Sequence, residues 1–359
     1  MGAITEFIVK KDDISQGEFI ERPAPDLKDG EICAKVDSFA FTANNVTYGV
    51  VGERIGYWKF FPVEREGWGI IPVWGFADVV ESKSPDIAVG ERLYGYWPMG
   101  SHLVMSPAKV KENRLVDGAA HRAELPPVYN SYARVKAEEG YDPSFDPDRM
   151  VLYPLYATSY CLYDFCKDND WFGAEQVVIP SASSKTAIGL AYAIKEDGAK
   201  KQIGLTSPRN AEAVKALGLY DEVVVYDDIE TAVADAPTVI VDMSGNGDVL
   251  GRLHKHLGDN MKYTSNVGVT HYDANAMGAD FIRERSAMFF APGHIQKRAS
   301  DWGPGVFESK AFAFWRDAAE RSRSWLTIKT GIGPDAVRAA YDDVLEGKTP
   351  AKESWALSF

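Results

Sequence analysis

The chain has 359 residues, 45% hydrophobic and 25% charged, which is the ordinary composition of a globular protein large enough for two domains. Its formal charge of −13 excludes nucleic acid as an expected partner, because neutralising phosphates needs a basic face. No apolar run approaches the ~20 residues of a membrane span, and the start, Met1-Gly2-Ala3-Ile4-Thr5-Glu6, lacks the basic and apolar regions of a signal peptide, so no membrane partner is expected.

Residues 1 to about 110 read as β-rich. Glu31–Phe39 alternates apolar and polar residues with the period of a half-buried strand. Gly69–Ser82 forms a second strand region, and Val89–Tyr96 a turn feeding a third. Residues 111–150 are polar and proline-bearing, and read as a long irregular insertion of the kind that covers a cleft. Tyr129, Asn130, Tyr132 and Tyr153 flank it, either lining a substrate cleft or anchoring the loop.

From about residue 156 strands alternate with helices. Val177–Ile179 precedes a helix over Ala187–Lys195, and Gln202–Leu205 precedes one over Ala211–Leu217. Glu222–Tyr226, Thr238–Asp242 and Lys262–Val267 are further strands. This alternation predicts βαβ units and a doubly wound parallel sheet, an α/β fold of the Rossmann type. The tail holds a short helix over Pro334–Leu345 and a closing extended segment, Ser354–Phe359.

A strand, a tight turn of small residues and a helix are the geometry that offers helix N-terminal amides to a pyrophosphate. Here the turn is Ser181-Ala182-Ser183-Ser184-Lys185-Thr186, with hydroxyls and an ammonium where glycines are usual. Ser181, Ser183, Ser184 and Thr186 are suited to donate to phosphate oxygens, and Lys185 adds a charge-assisted contact. The same residues also suit a plain helix cap with an exposed lysine. The next strand ends in Thr206-Ser207-Pro208-Arg209, with no acid for a ribose hydroxyl and a guanidinium that suits a 2′-phosphate. That pattern favours NADP(H) over NAD(H), although Thr206, Ser207 and Pro208 also suit a turn. Ser265 and Asn266 follow a strand whose carboxyl end would line the ligand crevice, and they suit an ordinary strand-to-loop turn equally.

Val79-Val80-Glu81-Ser82 with Val89–Gly95, Leu217–Tyr226, and Val241-Asp242-Met243-Ser244-Gly245 together resemble segments of the medium-chain dehydrogenase/reductase superfamily. The resemblance is to a zinc-free, quinone and enoyl reductase-like branch catalogued as a domain of unknown function. It implies a GroES-like substrate and catalytic domain over 1–155 and 323–359, and a Rossmann domain over 156–322. Thr42 falls near the family's zinc-binding cysteine, and Trp74 and Gly75 near its His-Glu pair, so no catalytic metal is expected. Thr42, Asn45 and Tyr48 align with the active-site loop of zinc-free reductases, with Tyr48 as the acid, or as a packing residue, and Asn45 orienting it or binding substrate. Thr158 matches a threonine near the nicotinamide, with a helix cap as the other reading. Tyr226 matches a phosphate-binding tyrosine of NADPH-using relatives, and Ser244 lies in the segment after the fourth strand.

The implied protein is a zinc-independent NADPH-dependent oxidoreductase acting on a small-molecule enone, activated alkene or ketone. The rival is a non-catalytic NADP(H) sensor on the same fold, which the missing glycines support. A homodimer is expected from the resemblance alone. His102, His121, His254, His256, His271 and His294 form no metal pattern. Nor do Cys33, Cys161 and Cys166, whose odd number fits reduced thiols in a cytoplasm. Trp58, Trp68, Trp74 and Trp97 suit an apolar pocket or a large aromatic core.

Overall fold

The computed structural model describes residues 3–268 and 280–359, so His271 and the first two residues lie outside the described residues. The chain divides into two compact units, residues 1–151 with 326–359, and residues 152–325. The sequence expectation places the divisions at 155/156 and 322/323.

The first unit begins with β1 (Ala3–Lys10) and β2 (Gly17–Pro23), an antiparallel pair. Strand β3 (Ile32–Phe41) leads into helices α1 (Ala43–Val50) and α2 (Gly52–Ile55). The short β4 (Trp68–Gly69) joins β1, and then come β5 (Pro72–Ser82), β6 (Arg92–Pro98) and β7 (His102–Met105). Exposed Lys35 and Asp37 flank buried Val36 on β3, and half-buried Asp78 lies between buried Ala77 and Val79 on β5, as the period-2 pattern requires.

Residues 107–134 are not an irregular insertion. They supply β8 (Pro107–Ala108), β9 (Arg114–Asp117) and β10 (Ser131–Arg134), and β10 pairs with β6. Their short lengths and three prolines hid them, and a buried ion pair organises them. Arg122 Nη1 meets Asp117 Oδ2 at 2.7 Å, and Arg122 Nε donates to the Phe60 carbonyl. The guanidinium also reaches the Tyr132 hydroxyl, which donates to the Tyr96 carbonyl.

Helix α3 (Asp146–Asp168) occupies a region where no helix was expected. Pro147 sits in its first turn, where a missing N–H is harmless, and Asp146 and Asp148 face the positive helix end. Pro154 interrupts the backbone ladder without ending the helix.

The second unit is built on β11 (Gln176–Pro180), β12 (Lys201–Thr206), β13 (Glu222–Val225), β14 (Thr238–Asp242), β15 (Met261–Asn266) and β16 (Ser286–Met288). Their spatial order is β13-β12-β11-β14-β15-β16, all parallel, which is the doubly wound Rossmann order. Every residue of β11 and β14 is buried, as expected for strands covered on both faces. Helices α4 (Lys185–Asp197), α5 (Ala211–Ala216), α6 (Ile229–Ala232) and α7 (Gly247–Leu257) connect the first five strands. Helix α4 is packed tightly on α3. A Cβ on Gly189 would lie 2.6 Å from Ser159 Oγ and from the Tyr156 ring.

Helices α8 (Ala291–Trp302) and α9 (Val306–Ser322) complete this unit. A buried cluster ties α8 to α3, in which Asp164 accepts from His294 Nε2 at 2.5 Å and Arg298 Nε at 2.6 Å. The chain then returns to the first unit through β17 (Thr327–Ile332), α10 (Pro334–Leu345) and β18 (Glu353–Ser358). Strand β18 lies parallel to β17 and antiparallel to β3. No helix among the described residues is long and apolar enough to cross a membrane.

Candidate active site

In the second unit the expected nucleotide residues gather at the carboxyl ends of β11, β12, β14 and β15. The first turn after β11 is tight because Ser181 adopts φ +60°, a left-handed conformation that normally selects glycine. Three bonds hold it there. Ser181 N donates to Tyr226 Oη at 3.0 Å, Ala182 N to the Leu205 carbonyl, and Ser184 N to the Ser181 carbonyl. Tyr226 thus braces the loop after β11 through its hydroxyl.

Ser184 caps α4, its Oγ accepting from Ala187 N at 3.3 Å. Ser183 Oγ accepts from Asn210 Nδ2 at 3.2 Å, which ties the loop to the turn after β12. Lys185, at the first position of the helix, is half-buried rather than exposed, and burial pushes its ammonium down to about 8. Thr186 contributes its carbonyl to Ser159 Oγ, at 2.7 Å. The loop and helix start therefore carry serine and threonine hydroxyls beside a partly desolvated lysine.

At the end of β12, Thr206 is buried and Ser207 Oγ is buried without a hydrogen-bond partner among the described residues. Arg209 follows in an exposed turn and forms no ion pair among the described residues. Beyond β14, buried Asp242 accepts from Ser244 N, Ser244 Oγ and Gly245 N. Burial nonetheless holds its carboxyl above the usual range. The Asp242 carbonyl receives Val267 N and Gly268 N from the loop after β15. A Cβ on Gly268 would come within 2.7 Å of Gly245 N and the Met243 carbonyl, so only glycine permits this approach. Ser265 Oγ and Asn266 Oδ1, both in deeply buried residues, have no partner among the described residues. Thr158 lies inside α3 and donates to the Pro154 carbonyl at 2.9 Å, so it is no helix cap.

In the first unit, Thr42 and Asn45 fix the start of α1. Asn45 Oδ1 accepts from Thr42 N at 2.9 Å and from Thr42 Oγ1 at 3.1 Å, while its Nδ2 donates to the Pro72 carbonyl. Asn45 is buried and bonded through both ends of its amide, and it is the neighbouring Asn44 that touches the tyrosine. Tyr48 Oη accepts from Asn44 Nδ2 at 2.7 Å and from Trp74 Nε1 at 3.2 Å. Burial holds the phenol well above its ordinary value, so it remains protonated at neutral pH.

Tyr57, Tyr96 and Tyr129 pack around Tyr48, with Trp74 and Phe60 against them. Sequence spacing gave no hint of this cluster, because its members come from α1, β5, β6 and two short turns. Tyr132 and Asn130 instead anchor the chain, bonded to Arg122. Tyr153 packs on Phe312 and Trp315 in the second unit. Among the described residues no three His, Cys, Asp or Glu side chains stand close enough to hold a metal ion.

A family model described as "Protein of unknown function (DUF2855)" matches residues 39–350. The chain belongs to this family. A search of curated proteins finds no match. Solved structures do match along the whole chain. CurA from Vibrio vulnificus in complex with NADPH is 11% identical, with 98% of each chain covered and a TM-score of 0.60. A mutant form of enoyl thioester reductase from Candida tropicalis is 10% identical, with 100% of each chain covered and a TM-score of 0.59. The quinone oxidoreductase from Coxiella burnetii is 12% identical, with 99% of each chain covered and a TM-score of 0.57. The fold is the one these solved structures share.

Proposed function

We propose that the protein is a zinc-independent, NADPH-dependent oxidoreductase that reduces an enone, an activated alkene or a ketone. One observation carries the reading. Ser207 Oγ, Ser265 Oγ and Asn266 Oδ1 are buried polar atoms, unpartnered among the described residues, at the ligand-binding edge of a Rossmann sheet. Unpaired buried polar atoms cost on the order of 1–3 kcal/mol each, a penalty that a bound polar ligand removes. The NADPH complex of CurA, on the same fold, supports this choice of ligand.

Ser181, Ser183, Ser184, Lys185 and Thr186 would hold the pyrophosphate, and Thr206, Ser207 and Arg209 the 2′-phosphate. In this reading Tyr226 acts by bracing the loop, and Ser244, Ser265, Asn266 and Thr158 serve the nicotinamide half. Bound NADPH supplies the hydride. Tyr48 supplies the proton. Two N–H groups occupy its oxygen as donors, so its own O–H points to an acceptor outside that set. The same two bonds offset part of the charge left behind when the proton leaves. Thr42 and Asn45 set the position of α1, and hence of Tyr48.

Zinc independence rests on chemistry, since Thr42 spends its hydroxyl on Asn45 and Trp74 offers only a donor. Three buried thiols suit a reducing cytoplasm. The test is NADPH oxidation across a panel of enones, alkenes and ketones, with Tyr48→Phe as comparison. NADPH binding without turnover on any member would favour the sensor instead.

A further inference from the structure

Asp242 ends β14 with no exposed surface, and its carboxylate takes no part in the proposed reaction. Both of its oxygens are occupied by the loop that follows. Oδ1 accepts from Ser244 N at 2.9 Å and from Ser244 Oγ at 2.6 Å, and Oδ2 accepts from Gly245 N at 3.0 Å. Ser244 Oγ in turn accepts from Asn246 N at 3.1 Å, and Asn246 caps α7. The side chain therefore fixes the path from β14 to the start of α7.

The backbone of the same residue fixes a second loop. The Asp242 carbonyl receives Val267 N at 2.9 Å and Gly268 N at 3.0 Å, both from the chain leaving β15. The two loops also touch directly, since a Cβ on Gly268 would lie 2.7 Å from Gly245 N and from the Met243 carbonyl. Gly245 N, which donates to the carboxylate, is thus an atom on which Gly268 rests. Beneath these loops, β14 and β15 pair with Val241 opposite Ser265 and Asp242 opposite Asn266. Those two partners carry Ser265 Oγ and Asn266 Oδ1, buried and unpartnered among the described residues.

We propose that Asp242 is a positioning residue, whose carboxylate and carbonyl lock the loops after β14 and β15 into one piece. The locked pair aligns Ser244, Ser265 and Asn266 for the nicotinamide half of the nucleotide, since contact groups hold their geometry only when hydrogen bonds and packing behind them are fixed. A side chain that closed only a local turn would act on residues 243–245 alone. Here loss of the carboxylate frees Gly245 N and shifts the surface on which Gly268 packs, and close-packed contacts transmit that shift to the second loop. Among the described residues no hydrogen bond ties the Asp242 side chain to the turns after β11 and β12, so the adenosine half is spared. The inference rests on the nucleotide reading for its ligand, whereas the coupling of the two loops does not need one.

The test uses the full-length protein with two variants, Asp242→Ala and Gly268→Ala, the second disturbing the contact while leaving the carboxylate in place. Amide hydrogen exchange, followed by mass spectrometry, reads the loops without any ligand. In Asp242→Ala, exchange should quicken by roughly tenfold over 243–246 and also over 265–268. Val267 N and Gly268 N bond a backbone carbonyl that alanine also has, so a merely local role would leave them unmoved. Gly268→Ala should quicken exchange over 243–246 in the same way, and it carries the comparison if Asp242→Ala fails to fold. Calorimetry then compares NADPH with adenosine 2′,5′-bisphosphate, the fragment that lacks the nicotinamide. Asp242→Ala should weaken NADPH by about tenfold, the worth of one or two lost polar contacts, and leave the bisphosphate unchanged. Unchanged exchange over 265–268 in a folded Asp242→Ala overturns the proposal, and so does equal weakening of both ligands. Wild-type affinity for NADPH in a folded Asp242→Ala overturns it too, and leaves the nucleotide reading standing. Faster exchange in both loops, in a protein whose wild type binds neither ligand, supports the locked loops and overturns the nucleotide reading.

Discussion

Tyr48 owes its character to two neighbours that donate to it. Trp74 comes from a strand 26 residues away, and Asn44 from the preceding turn of the same helix. In the proposed reaction Tyr48 is the proton donor, and replacing it with Phe leaves the loop after β11 untouched. Turnover should fall by roughly 10²–10⁴-fold, the usual worth of a general acid, while NADPH affinity stays constant in a fluorescence titration. An equal loss of affinity and turnover would contradict that role. The resemblance singles out Tyr48 through the pattern of its loop. It assigns the supporting amide to Asn45, where the structure has Asn44, because neighbouring helix positions face different directions and only coordinates resolve which one turns inward. His254 illustrates the opposite case, a core residue without a sequence signal. Its Nδ1 accepts from Ile282 N, leaving the proton on Nε2 opposite Thr264 Oγ1. Burial, with a smaller push from Arg285, lowers its pKa to about 4. The unfolded chain binds that proton near pH 6.5 and the folded chain refuses it, so stability falls as pH drops from 6.5 towards 4, by roughly 3 kcal/mol. Urea midpoints at pH 7 and 4.5 should show this loss, and His254→Leu should show a smaller one. Equal losses would remove His254 from the account.

Among the elements, α4 depends on glycine for contact rather than for phosphate. Gly189→Ala places a methyl 2.6 Å from Ser159 Oγ and the Tyr156 ring. It should destabilise the protein by about 1–3 kcal/mol, read as a lowered urea midpoint. An unchanged midpoint would mean that α3 and α4 separate easily. The strands of the second unit are legible because Val177–Ile179 and Thr238–Asp242 are short apolar runs bounded by turn residues. The turn after β11 is legible by position, but its conformation is not. Ser181 takes the left-handed turn usually given to glycine, and Tyr226, 45 residues on, supplies the brace. Helix α3 escapes sequence reading because Pro147 and Pro154 mark a boundary by local rules, and packing overrides them. The strands between 107 and 134 escape because a buried Arg122–Asp117 pair, rather than a periodic pattern, sets their course.

For the whole molecule, the six-stranded sheet ends among the described residues at β16, where Met288 and, just beyond, Phe290 are exposed at 44% and 63%. We propose that a second copy covers this edge, since an unpaired strand with exposed apolar side chains readily pairs. Light scattering should give a dimer, and Met288→Lys should shift it to monomer. A wild-type monomer at micromolar concentration would overturn this. The central claim is that the hydroxyl-rich loop and Arg209 hold NADPH. The direct measurement is a titration of the purified protein with NADPH and NADH, following nicotinamide fluorescence. The account predicts tight binding of NADPH, weaker binding of NADH, and a selectivity lost in Arg209→Ala. Binding of neither nucleotide, or equal affinities unaffected by Arg209→Ala, would contradict it.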